Sequence, residues 1–96
     1  MSTLFTINKA PSHALLQASK RMLSEGDAIL FLEDGVYHAI DEQALASVPE
    51  QVSVFCLKED LQARGLQARL AAQAVSVNYR KFVGLCTEYD KVVSWF

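Results

Sequence analysis

Residues Ala28 to Leu32 read Ala-Ile-Leu-Phe-Leu, five consecutive apolar side chains with no polar face to offer water. The run is far short of the roughly 20 residues that cross a bilayer. A strand covered on both sides accommodates it, and such strands belong to parallel sheets packed between layers of helices. Four further segments read as strands: Thr3 to Ile7, Val52 to Leu57, Ala74 to Val77 and Val92 to Phe96. Several are near-continuous in Val, Ile, Leu and Phe, where a sheet with one wet face would alternate.

Helical stretches separate these runs. Ser12 follows Pro11 as a good N-cap, and Leu15, Leu16, Ser19, Met22 and Leu23 recur at helical spacing until Glu25-Gly26-Asp27, where Gly26 is free to turn left-handed. One or two helical turns are expected after Gly35, with a loose segment around Val48-Pro49. A short helix closed by Gly65 is expected in Lys58 to Leu70. Asn78 can cap a helix that places Phe82, Leu85, Cys86 and Tyr89 on one face. Strands alternating with helices predict a βαβ arrangement with right-handed crossovers. The expected fold is therefore α/β: a single three-layer domain over residues 1–96, with a mainly parallel sheet of four or five strands flanked by helices. No repeat, linker or low-complexity segment divides the 96 residues.

Composition narrows the function classes. The chain is 51% hydrophobic and 21% charged, with a net charge of −2 and a pI near 5.6. Its basic residues are scattered, and the pairs Lys20-Arg21 and Arg80-Lys81 make no stripe, so no direct nucleic-acid binding is expected. The N-terminus lacks the basic start and apolar segment of a secretory signal, and no run is long enough for a membrane span. Cys56 and Cys86 lie far apart without a CxxC spacing, which predicts reduced thiols and a cytoplasmic location.

Ligands of open parallel sheets sit beyond the carboxyl ends of the strands. Glu33-Asp34-Gly35 stands there after the second strand, and Lys58-Glu59-Asp60 after the third. A Mg²⁺ or phosphoryl site needs several converging acids, yet the first strand ends in Asn8-Lys9. The preferred expectation is structural. Asp34 caps a helix, Gly35 permits the turn, and Glu59 and Asp60 favour the positive end of the next helix. Gly26, Gly35, Gly65 and Gly84 are isolated, so no phosphate-binding loop is formed. His13 and His38 have no ligand at chelating spacing and are expected on a helix surface or in loops. Cys56 lies between Phe55 and Leu57, where burial raises a thiol pKa, and Cys86 lies late in its helix, where the dipole disfavours a thiolate. No catalytic, cofactor-binding or metal-ligating residue is expected.

The segment LFTINKAPSHALLQASKRMLSEGDAILFLEDGVYHAI resembles the TusB/DsrH family, which has the DsrE-like α/β fold. The second half agrees: VFCLKEDLQARGL resembles the family's LxxDLxARGL element, and VNYRKFVGLCTEYDKVVSWF its Y-x-x-FV-x-L helix and tryptophan-bearing last strand. The match runs in order along essentially the whole chain. The resemblance implies a subunit of a complex with two related proteins, TusC-like and TusD-like, in a hetero-hexamer. Such a complex passes persulfide sulfur through a TusE/DsrC-like carrier toward 2-thiolation of tRNA wobble uridine. DsrH-like members serve a DsrEFH complex of sulfur oxidation instead, and a persulfide carrier in its own right, using Cys56 or Cys86, is a further alternative. In both complexes the best-supported sulfur-accepting cysteine belongs to the TusD/DsrE subunit. Some DsrH proteins carry another in the first helix; here Ser19 stands near that place and no cysteine precedes Cys56. The departure favours a TusB-like, non-catalytic subunit that binds no cofactor.

Overall fold

The structure, a computed structural model, describes residues 2–11 and 23–95. Most of the helix expected from Ser12 to Glu25, with His13 and Ser19, falls outside the described residues, as does Phe96; Leu23 and Ser24, at its expected end, are not helical, and Glu25-Gly26 form a turn. Among the described residues there are five strands: β1 Thr3–Ile7, β2 Ala28–Phe31, β3 Ser53–Leu57, β4 Val75–Val77 and β5 Lys91–Trp95. Between them lie a 3₁₀ helix Glu33–Ile40, α1 Glu42–Ala46, α2 Lys58–Ala63, a one-turn 3₁₀ helix Gln67–Arg69 and α3 Tyr79–Glu88. The strands form one sheet in the order β4-β3-β2-β1-β5, and every neighbouring pair is parallel. Expected and observed strand boundaries differ by a residue at most over the described residues.

Register sorts the side chains into two faces, because successive residues of a strand point to opposite sides. Phe5 aligns with Ile29 and Val54, and Ile7 with Phe31 and Cys56. Together with Val36, Ala39, Leu45 and Leu61, most of these make the larger core cluster, and Leu23 packs against it. On the other face Leu4, Ala28 and Leu30 meet Val77 and Leu85, with Phe82, Cys86 and Tyr89 packed alongside. All four residues of β2 are fully buried. At about 1.5–3 kcal/mol for each large apolar side chain removed from water, this central strand is a principal source of stability.

Topology decides which helix covers which face. From β1 to β4 the strands step in one direction across the sheet, and the chain then returns from β4 to the opposite edge as β5. Right-handed crossovers taken in opposite directions place their helices on opposite faces. Hence α3 shares the Leu30 cluster, whereas the first 3₁₀ helix, α1 and α2 share the Ile29 cluster.

Polar clips fix the strand starts. Buried Asp27 accepts hydrogen bonds from the Thr3 amide at 2.9 Å and the Ser24 amide at 3.0 Å, after the left-handed turn at Gly26 (φ 93°). Asp90 accepts from the Ser2 amide, and the Lys91 amide donates to the Ser2 carbonyl at 3.1 Å, which seats β5 on β1.

At the other end of the sheet, the Ile7 carbonyl accepts from the Leu32 amide at 3.0 Å, and Gly35 lies directly against it. A Cβ on Gly35 overlaps both the oxygen and the carbon of that carbonyl. Gly35→Ala is therefore expected to cost about 3 kcal/mol or more, because the colliding group is backbone. Urea unfolding measures this; an unchanged midpoint refutes the close approach.

Candidate functional site

The acids singled out by the sequence gather at the carboxyl ends of β2 and β3, but they meet each other through an arginine. Glu33 has φ +50°, a left-handed conformation that strains a residue with a Cβ. Its amide donates to Asp60 Oδ2 at 2.6 Å. Arg64 Nη2 lies 3.0 Å from Asp34 Oδ1, and Arg64 Nη1 lies 3.8 Å from Asp60 Oδ1. A circuit from the Glu33 amide through Asp60 and Arg64 to Asp34 thus ties the end of β2 to α2. Glu59 accepts from the Tyr79 amide at 3.2 Å, at the start of α3, where Asn78 Oδ1 accepts from the Lys81 amide at 2.8 Å as expected. Lys58 enters no ion pair among the described residues.

Two local expectations need correction. Asp34 does not cap a helix: the 3₁₀ helix begins one residue earlier, its N-cap position is Leu32 without a side-chain bond, and Asp34 turns instead to Arg64. Gly35 does not supply the left-handed turn, which falls on Glu33; it is required for the approach to Ile7. The partner Arg64 lies thirty residues along the chain, beyond the reach of local capping rules.

His38 is a third correction. It was expected on a surface or in a loop, yet it is 1% exposed and stacked on Phe31 with ring centroids 5.0 Å apart. The reason is the helix type. At three residues per turn, Gly35 lines up with His38 and Val36 with Ala39, and all four are buried. Nε2 lies 3.2 Å from the Lys9 carbonyl, which can only accept, so Nε2 carries the proton and Nδ1 the lone pair. Nδ1, like Asn8 Oδ1 after β1, is buried without a hydrogen-bond partner among the described residues. Burial pushes the His38 pKa below its usual value, against smaller opposing effects of the Lys9 carbonyl and the Asp41 carboxylate.

The two thiols occupy opposite layers. Cys56 is fully buried in β3 beside Phe31, and burial, with a lesser contribution from Asp60, pushes its pKa up to about 12. At neutral pH a thiol of that pKa is ionised to roughly one part in 10⁵. Cys86 is half-buried on α3, against the Leu30 cluster. No group of three or more His, Cys, Asp or Glu converges to hold a metal among the described residues. A groove of about 430 Å³ near the start of β3 is lined by Leu45, Val48, Pro49, Val52, Val54 and Gln73, with Glu50 as its ionisable group. None of these arrangements supplies a nucleophile paired with a base.

Comparison with known proteins agrees along the chain. The family described as DsrH like protein matches residues 9–92. Protein TusB of Escherichia coli O81 (strain ED1a) is 36% identical over 96 residues, covering 96% of this chain and 99% of that protein. Protein TusB of Yersinia enterocolitica is 35% identical over 94 residues, and that of Salmonella arizonae 38% over 96, with the same coverage. Among solved structures, the ychN protein from E. coli superposes with a TM-score of 0.81 at 17% identity, covering 98% of both chains. Protein Tm0979 from Thermotoga maritima gives 0.69 at 21% identity, covering 90% of this chain and 92% of its own. At those identities the structures speak for the fold.

Two outcomes follow from this geometry. Cys86 is expected to react with iodoacetamide in the folded protein while Cys56 reacts only on unfolding; alkylation of Cys56 at the rate of a free thiol contradicts its placement. For His38, a folded pKa below the unfolded 6.5 means that the unfolded chain binds the proton first. Stability is full above about pH 6.5 and falls as the pH drops toward the folded pKa. In His38→Gln that component of the slope between neutral pH and about pH 5 should vanish; an identical slope in wild type and variant rules the assignment out.

Proposed function

The chain belongs to the DsrH-like family, and from this membership we propose that it is a non-catalytic subunit of a TusBCD-type sulfur-relay complex. In this reading it helps pass persulfide sulfur toward 2-thiolation of tRNA wobble uridine, in the cytoplasm, without contacting nucleic acid or membrane itself. The observation that carries the reading is identity of about 36% to TusB proteins along nearly the whole of both chains. The environment of Cys56 supports it: a sulfur acceptor attacks as a thiolate, and this thiol is held protonated inside the sheet. Absence of any cysteine before Cys56 separates the chain from those DsrH proteins that carry one in the first helix. In this reading the sulfur-accepting cysteine belongs to a TusD-like partner, and the present chain completes and positions the assembly.

Exposed apolar surface supports the partnership: Val75, Tyr79, Val83, Val92 and Val93 remain exposed, as side chains that a partner covers do. TusC-like and TusD-like subunits are the proposed neighbours, in a hetero-hexamer that hands sulfur to a TusE/DsrC-like carrier.

Incubation of the purified chain with a cysteine desulfurase and ³⁵S-cysteine should leave neither thiol persulfidated. Transferable, stoichiometric label on Cys56 or Cys86 replaces the proposal with the carrier alternative. Co-expressed with TusC-like and TusD-like proteins, the chain should elute with them near hexamer mass; a subunit that ignores both at micromolar concentration removes the basis for the relay reading.

A further inference from the structure

The turn that carries the chain from β2 into the first 3₁₀ helix contains a residue ill suited to it. The Gly35 amide donates to the Leu32 carbonyl at 2.9 Å, so Leu32 to Gly35 form a four-residue turn with Glu33 in its second place at φ +50°. Positive φ at that place selects glycine, asparagine or aspartate. For a residue such as glutamate the left-handed state is less populated by roughly five- to thirtyfold. A glycine would hold the turn unaided. Glu33 holds it only with help from outside the turn.

That help comes from α2. Asp60 Oδ2 accepts from the Glu33 amide at 2.6 Å, a bond that depends on where the amide points. Arg64 keeps the carboxylate in place: its Nη1 donates to the Asp60 carbonyl at 3.2 Å, while Nε and Nη2 reach Asp34 Oδ1 at 3.3 and 3.0 Å. Leu61, 1% exposed in the larger core cluster, anchors α2 itself. The fixed half of the contact is therefore α2, and the half able to move is the turn with the 3₁₀ helix behind it. Rotation of Glu33 out of the left-handed region swings its amide away from Asp60 and lifts Gly35 from the Ile7 carbonyl. His38 travels with that helix, leaving its stack on Phe31 and its bond to the Lys9 carbonyl.

Two groups gain by opening. Glu33 loses its strain, and His38 Nδ1, unpartnered among the described residues while enclosed, meets water. Burial of Val36 and Ala39 and the Asp60 bond oppose them. We propose that Asp60 is the latch of a two-state segment. While its carboxylate holds the Glu33 amide, the 3₁₀ helix stays seated and His38 stays enclosed. Once it lets go, Glu33 relaxes and the helix opens locally, with the sheet intact. The latch uses neither thiol nor any related subunit, so it stands apart from the sulfur-relay reading.

Amide hydrogen exchange and diethylpyrocarbonate labelling of the full chain, each followed residue by residue, test it. Asp60→Ala should speed both exchange of the Gly35 amide and modification of His38 by about fivefold or more. The Lys91 amide, which donates to the Ser2 carbonyl at the opposite end of the sheet, should keep its wild-type rate. In a Glu33→Gly background the turn needs no latch, and Asp60→Ala should leave the Gly35 and His38 rates nearly unaltered. Three results overturn the proposal. They are rates at Gly35 and His38 that Asp60→Ala does not move, an equal acceleration at Lys91, which marks global unfolding, or an undiminished effect of Asp60→Ala in the Glu33→Gly background.

Discussion

One carbonyl group organises the working end of the sheet. The oxygen of Ile7 ends the β1–β2 ladder by accepting from Leu32, and the same carbonyl is the floor on which Gly35 rests. With both contacts fixed, Glu33 and Asp34 are the two residues that must turn the chain from strand to helix. Glu33 enters the left-handed region at a cost of about 1–2 kcal/mol. The short hydrogen bond from its amide to Asp60, a charge-assisted bond of the stronger kind, offsets that strain. The turn then launches a 3₁₀ helix close over Phe31, and its tight pitch carries His38 into the core. An acid-acid-glycine sequence at a strand end, where a catalytic site is often found, is here occupied in holding one strand and two helices together.

The inner strands β1 and β2 were legible because burial on both faces leaves a mark in four or five letters, and the edge strands β4 and β5, largely exposed, were legible from their runs of valine. The burial of Cys56 too could be reasoned from the apolar neighbours Phe55 and Leu57 on either side of it. Legibility failed where the determining partner was remote or the period unusual. Asp34 looks like a cap in any local window, and its tie to Arg64 exists only once α2 has packed beside the turn. His38 falls off the apolar stripe of a 3.6-residue helix but on that of a 3-residue one. Nothing in Glu-Asp-Gly-Val-Tyr-His announces the tighter pitch, which the approach of Gly35 to Ile7 imposes from outside the segment.

Sulfur transfer asks a thiol to be both ionised and reachable, and the same sheet geometry bears on both demands. Cys56 aligns with Phe31 in the most protected part of the molecule, so ionising it means placing a charge among apolar side chains with Asp60 already nearby. A residue in that place contributes packing. The family relation and the burial of this thiol are separate lines of support for a positioning role: the first comes from identity along the chain, the second from the dielectric around one side chain.

The layering itself makes α3 the exposed member of the fold. Two successive crossovers, from β2 to β3 and from β3 to β4, load one face with the first 3₁₀ helix, α1 and α2, and the sole crossover in the other direction supplies ten residues to the second face. A helix in that position must grip the sheet with one side, which Phe82, Leu85 and Cys86 do, and it has no neighbouring helix among the described residues to shelter the other. Val83, turned from the sheet, and Tyr79, exposed at the helix start, then either cost solubility or serve a contact.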